Sequence, residues 1–283
     1  MEIVKTKRSR RDEVDLEDLG FGEVFSDHMF SMEYRDGTWT SPKVMPFGPI
    51  ELLPSTCSLH YGQMVFEGLK AFYSKAGAIN LFRPQKYHER QNKSCQKLCI
   101  PEMGFDLFIN GIRELLILDK EWVPKKRGYS LYIRPFIFAT DSFLGVKVSE
   151  TYRFMIITSP VGAYYKEGIN PVRLITPGEH IRAAKGGLGA AKTPANYAAT
   201  LLPAEEAKEK GFTQVLWLDG VERRSSMTGI SRNWKARAGP RRSRASRARA
   251  AARQPPALAP PTPMRAGSTW NVPAWASSHF RAA

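Results

Sequence analysis

The 283-residue sequence predicts an α/β protein of the α+β, two-lobed kind, and three observations carry that expectation. Short β-rich runs in the first half come in pairs joined by turn residues, as antiparallel hairpins do. Two segments among them carry helical periodicity. A stretch rich in glycine, proline and tyrosine, residues 159–171, then separates this half from a further β-containing segment and reads as a linker between lobes.

Residues 1–18 are charged and poor in apolar side chains, which predicts a disordered lead. The smaller N-terminal lobe is expected over residues 19–158. Phe25 to Tyr34 alternates loosely and meets Asp36-Gly37, a hairpin turn signal. Leu69 to Tyr73 and Ala78 to Phe82 are joined across Lys75-Ala76-Gly77 as a second hairpin. Pro84 then opens a helix, at the position that tolerates a missing N–H, and the helix is expected to reach about Leu98. Asp106 to Leu118 bears Leu107, Ile109, Ile112, Leu115 and Leu116 at helical spacing, a core stripe. Tyr129 to Phe138 reads as a strand with Tyr132 and Arg134 on one face and Leu131 and Ile133 on the other. Arg153 to Thr158 is another strand.

The larger lobe is expected to begin at residue 172 and to be recognisable as far as 224. Within it, Ala204 to Lys210 is a run of helix formers closed by Gly211. Gln214 to Leu218 is a buried strand, turned by Asp219-Gly220 into a returning strand at Val221 to Arg224. From Ser225 to Ala283 arginine, alanine, proline and serine dominate, which predicts a disordered tail.

Composition removes several function classes. A hydrophobic content of 42% supports a real core. No apolar run approaches the roughly 20 residues that cross a bilayer, and Met1 to Arg8 lacks the apolar stretch of a signal peptide, so a cytoplasmic protein without membrane contact is expected. Cys95 and Cys99 stand four apart without the second pair a zinc site needs, so reduced thiols and no metal are expected. The net charge is +15, but ten arginines and one lysine of that balance lie in the tail, and no acidic residue follows Glu222. Residues 1–224 are close to neutral, which argues against a folded nucleic-acid surface.

The stretch from Gly186 to Thr200 offers chemistry, because Lys192 stands among residues too small to crowd it. A lysine is a nucleophile when burial or a neighbouring cation lowers its pKa, and it can then form a Schiff base. Tyr197 follows five residues on, near enough to face the same ligand if Thr193 onward is helical. A solvated lysine at a helix start satisfies the same pattern. Tyr132 with Arg134 suits an anionic substrate; a polar outer face of an edge strand has the same alternation.

Six segments together resemble the branched-chain amino acid aminotransferases, class IV enzymes of fold type IV that use pyridoxal 5'-phosphate. They are Phe25 to Phe30, Leu59 to Ala71 around His60-Tyr61-Gly62 and Phe66-Glu67-Gly68, Leu81 to Pro84, Tyr132 to Pro135, Pro160 to Tyr164, and Gln214 to Gly220. Their shared order and spacing make the resemblance specific. It implies that Lys192 holds the cofactor covalently and moves the proton at the substrate Cα. It places Tyr197 beside the cofactor's phenolic oxygen and Arg90 on its phosphate. Tyr61, Phe66, Tyr132 and Tyr164 are implied to line the substrate pocket, where Arg134 meets the distal carboxylate of glutamate. The implied reaction moves the amino group of L-leucine, L-isoleucine or L-valine to 2-oxoglutarate, with amino acids and 2-oxo acids as the small-molecule partners of a homodimer.

Two departures from the family pattern stand out. Pro194-Ala195 occupies the place of two glycines before Asn196-Tyr197. More seriously, Ser225 to Ser231 carries no counterpart of the family's Glu-x-Gly-x-x-Asn run, whose glutamate protonates the cofactor's pyridine nitrogen. The abrupt compositional change there resembles out-of-frame translation, and reading the coding DNA in its other two frames beyond Ser225 tests this; absence of that run from both would end the idea. The alternatives are a related class IV enzyme, either a D-amino acid transaminase or an aminodeoxychorismate lyase, and an inactive fragment whose basic tail binds nucleic acid.

Overall fold

The computed structural model describes residues 1–162 and 171–221, together with the backbone of Thr269–Val272. Its contacts divide into two units: Met1–Gly168 with Gly187–Ala198, and Ile169–Gly186 with Ala199–Ala283. The lysine stretch, expected in the larger lobe, therefore belongs with the first unit.

The first unit is built on an eight-stranded sheet of β1 (Glu2–Ile3), β2 (His28–Arg35), β3 (Thr38–Pro46), β4 (Met64–Phe66), β5 (Leu69–Tyr73), β6 (Ile79–Leu81), β7 (Ser130–Ala139) and β8 (Tyr152–Val161). The order is β1-β3-β2-β8-β7-β5-β6, with β4 also paired to β7. Both predicted hairpins are present, β2–β3 and β5–β6. β4 and β5 run along the same side of β7 in continuous register, Phe66 opposite Phe136 and Leu69 opposite Ile133. The gap between them has a local cause: Pro135 accepts from the Glu67 N–H at 2.7 Å but has no N–H to return.

Alternation sends Val65, Leu69, Leu131, Ile133, Phe154 and Ile156 to one face, where they form a core with Phe108, Ile112, Leu115 and Leu116. Those last four belong to helix α3 (Phe105–Leu118), which lies beside α2 (Pro84–Lys97). α3 can approach closely because Gly111 lacks a side chain: a Cβ there would lie 3.0 Å from Ile156 and 3.1 Å from Phe30. The opposite face holds a smaller apolar cluster of Met29, Phe138 and Met155. Among the described residues no helix is long and apolar enough to cross a membrane. All three cysteines are free, and Cys99 falls beyond the end of α2.

The lead expected to be disordered is instead fastened to the sheet. Glu2 and Ile3 pair in parallel with Lys43 and Val44. Buried Asp27 accepts from Ser9 Oγ at 2.5 Å, the Arg10 N–H at 2.9 Å and Trp122 Nε1 at 2.9 Å. His28 Nδ1 lies 2.6 Å from Asp119, and its Nε2 accepts from the Thr6 N–H at 3.0 Å. These anchors are supplied by residues distant in the chain, so the composition of the lead could not reveal them. Burial alone would raise the Asp27 pKa, but its three donors outweigh burial and hold it below the ordinary 3.8. A carboxyl with a lowered folded-state pKa stabilises above its unfolded value and loses that contribution as pH falls through the folded value. Hydrogen exchange at the Arg10 amide should therefore accelerate as pH drops below 3.8 beyond its intrinsic pH dependence. Asp27→Asn should lose this step; a wild-type chain without it would remove Asp27 as the fastener.

In the second unit, β9 (Val172–Ile175) pairs in parallel with β10 (Gln214–Val215) and antiparallel with β11 (Thr269–Val272). Parallel pairing needs a crossover, and the chain between β9 and β10 includes α5 (Leu201–Glu209). The helix expected over Ala204 to Lys210 is α5, and the turn after Thr193 forms a separate short helix, α4 (Ala195–Ala198). Pro203 explains the break, since its ring would clash with the Ala199 carbonyl of an unbroken helix. The proposed linker is shorter at its start than expected, because β8 continues through Val161. Residues 163–170, the returning strand at 222–224 and the tail lie outside the described residues, apart from β11, whose pairing departs from the expected disorder.

Candidate functional site

The site forms at the edge of the first unit, where β4, α2 and the stretch 187–198 meet. Lys192 is held first through its backbone. Its N–H donates to Ser94 Oγ of α2 at 2.9 Å, and its carbonyl accepts from the Phe66 N–H of β4 at 3.0 Å. Buried Asn196 donates to the Leu188 and Ala191 carbonyls, both at 2.7 Å, and so closes the small-residue loop before the lysine. With the chain fixed on both sides, the ammonium donates to the Tyr197 hydroxyl at 2.6 Å. It also lies 4.6 Å from the Phe66 ring centroid and 5.0 Å from that of Tyr197.

Phe66 has a second cation near its ring. The Arg134 guanidinium is 4.8 Å from its centroid, and Arg134 Nη2 donates to the Tyr132 hydroxyl at 2.9 Å. Tyr132 can reach that position because Gly68, opposite Arg134 in the register, leaves room. A Cβ on Gly68 would overlap the Tyr132 oxygen, so any side chain there would push the phenol off Arg134.

Arg90 is fixed by a carboxylate absent from the sequence-derived site. Its Nε and Nη2 each donate to Glu67 at 2.6 Å, a two-point clamp on a fully buried acid. Burial opposes the charge on Arg90, but Glu67 outweighs it and raises the arginine's pKa further. The Ser94 hydroxyl donates to the Arg90 carbonyl at 3.0 Å, so the residue that seats Lys192 is tied to the turn of α2 bearing Arg90.

The structure thus brings together Lys192, Tyr197, Phe66, Arg134 and Tyr132, with Arg90 anchored alongside through Glu67 and Ser94. Tyr61 is not joined to them: it ends α1 (Cys57–Tyr61), is 46% exposed, and its ring faces His60 at 6.0 Å. Tyr164 lies outside the described residues. The residues missed by sequence reading, Glu67, Ser94 and Asn196, orient the others. Glu67 did carry a signal, as a carboxylate at strand spacing between apolar Val65 and Leu69.

The family model for amino-transferase class IV matches residues 64–223, ending just before the compositional change at Ser225. Branched-chain-amino-acid aminotransferase 2 of Bacillus subtilis is 49% identical over 225 residues, covering 79% of this chain and 61% of the relative. The branched-chain-amino-acid aminotransferase of Mycolicibacterium smegmatis is 48% identical over 207 residues, covering 72% and 56%. Among solved structures, the Escherichia coli branched-chain amino acid aminotransferase aligns with a TM-score of 0.55 at 25% identity, covering 68% of this chain and 60% of that one. The Thermobaculum terrenum enzyme in its PLP-form shares the fold, with a TM-score of 0.54 at 19% identity over 68% of this chain and 59% of that one. The chain spans about 61% of the length of the Bacillus subtilis relative. It belongs, by fold and by sequence, to the class IV aminotransferases.

Proposed function

We propose that this chain is a branched-chain amino acid transaminase that uses pyridoxal 5'-phosphate, transferring the amino group of L-leucine, L-isoleucine or L-valine to 2-oxoglutarate. The donor set fits the cofactor: a lysine amine for its aldehyde, a phenol beside that amine for its ring oxygen, and an arginine for its phosphate. Bound there, the cofactor supplies a conjugated ring able to take up the electron pair released when the Cα proton leaves. Lys192 supplies the amine and then carries that proton on Nζ, for which its backbone clamp keeps the side chain aimed. Tyr197 orients Nζ through the 2.6 Å hydrogen bond. Glu67 keeps the Arg90 fork presented. Phe66 and Tyr132 offer ring surface to an apolar side chain, and Arg134 offers charge to a carboxylate.

The single observation that carries the reading is the lysine–phenol pair mounted between β4 and α2. The names of the relatives supply the substrate class. A cytoplasmic homodimer is part of the proposal; a homodimer is supported by exposed Leu53, Leu59 and Tyr61, on and just before α1, and Leu144 and Val146, two segments joined by the Thr56–Ser142 bridge. Nucleic acid is not a proposed partner.

The test is to add pyridoxal phosphate to the purified chain, record its visible spectrum, then assay L-leucine against D-alanine as amino donors to 2-oxoglutarate. A new visible band and a preference for L-leucine are expected. Turnover should be slow, since Ser225 to Ser231 offers no carboxylate for the pyridine nitrogen. A chain that gains no band, or that prefers D-alanine, would refute the proposal.

A further inference from the structure

The sheet face that carries Tyr132 and Arg134 holds more positive charge than this cluster uses. Lys70 of β5 stands directly across from Tyr132, and Tyr132 across from Ser159 of β8. Residues opposite one another in an antiparallel ladder share a face, so Lys70, Tyr132 and Ser159 form one row over three strands. Arg134, two residues along β7, lies on that face as well.

Three polar groups here, the Lys70 ammonium, the Ser159 hydroxyl and Arg134 Nε, lack a hydrogen-bond partner among the described residues. The Lys70 ammonium is half-buried and makes neither a hydrogen bond nor an ion pair there. Burial depresses its pKa below the ordinary lysine value, and no nearby carboxylate offsets the shift. Ser159 is 3% exposed, and its hydroxyl finds no partner. Arg134 Nε is buried and unpartnered too. Glu67 cannot serve them, because it points to the helix side with Val65 and Leu69 and is clamped by Arg90. Buried donors and charges left unpaired cost free energy. Among the described residues this row has no anion beside it.

We propose that Lys70 is a specificity-determining residue, which together with Arg134 and the Ser159 hydroxyl receives the distal carboxylate of a dicarboxylic substrate. This rests on the transaminase reading for the identity of the dicarboxylate, glutamate or 2-oxoglutarate. Lys70 acts on that half of the reaction alone, because a leucine side chain offers its ammonium nothing to bind. Two cations with one hydroxyl also distinguish a dicarboxylate from an apolar acid more sharply than Arg134 alone, already engaged with the Tyr132 phenol.

The test is calorimetric titration of the full chain with glutarate, with 4-methylpentanoate and inorganic phosphate as comparison ligands. Loss of one charge-assisted contact should weaken glutarate binding about tenfold in Lys70→Met, while Lys70→Arg stays within about threefold of wild type. Binding of 4-methylpentanoate should be unchanged in both variants. The proposal fails if the wild-type chain does not bind glutarate or if Lys70→Met binds it as well as wild type. It fails equally if Lys70→Met weakens both acids alike, or if phosphate binds as tightly as glutarate. Glutarate results as expected in a chain that gains no visible band with pyridoxal phosphate would sink the transaminase reading and leave the acid site standing. A band and leucine turnover with glutarate indifferent to Lys70 would do the reverse.

Discussion

Replacing Lys192 by alanine should abolish the visible band that the wild-type chain gains with pyridoxal phosphate and lower leucine turnover by at least about 10²–10⁴-fold, the usual yield of a positioned acid–base group. The expectation follows from how little else could substitute. Nζ is the amine 2.6 Å from the Tyr197 hydroxyl, and its aim depends on backbone bonds to Ser94 and Phe66 that alanine would keep. The variant should therefore fold as the wild type does, and circular dichroism should be superimposable. Tyr197→Phe is the informative companion. It removes the hydroxyl but not the amine, so the band should persist while turnover falls. If Lys192→Ala kept both band and turnover, another amine would be the covalent partner and the assignment would be wrong.

The largest stability effect is expected at Glu67. Its carboxylate is fully buried and holds Arg90, whose side chain is 20% exposed. Removing one member of such a pair leaves the other charge uncompensated, at a cost of about 3–5 kcal/mol. Glu67→Ala should accordingly unfold at a much lower urea concentration than wild type, and Glu67→Gln, which keeps one acceptor, should fall between them. Removing both charges with Glu67→Leu and Arg90→Leu should recover part of the loss, because a buried pair replaced by apolar groups is often close to neutral. On the proposed role of Arg90, that double variant should still bind pyridoxal phosphate more weakly than wild type. Unchanged unfolding of Glu67→Ala would show that the clamp contributes nothing to the fold.

Most of the first unit was legible because its signals are local. Asp36-Gly37 turns a hairpin, Pro84 opens α2, and the apolar spacing of residues 107–116 describes α3 without reference to anything distant. Order in residues 1–13 was not legible, because it depends on Asp27 and His28, whose partners include Trp122 and Asp119 about a hundred positions away. The break between α4 and α5 was written in Pro203. At the site, Lys192 with Tyr197 and Tyr132 with Arg134 stood out from their own surroundings in the sequence, whereas Arg90 came from a resemblance alone. The groups that aim them emerged only from the fold, since no spacing rule links Ser94 to a lysine 98 residues on. Tyr61 shows the converse: its segment matches the family pattern, while the structure leaves its ring on the surface.

That same separation of 98 residues bears on biosynthesis. Ser94 and Phe66 are translated well before Lys192, and all eight strands of the first sheet precede it in the chain. A chain emerging N-terminus first can complete the sheet before Lys192 leaves the ribosome. Lys192 then docks onto a finished edge, so a prematurely released chain ending before residue 192 would present the receiving surface without the lysine it is built to hold.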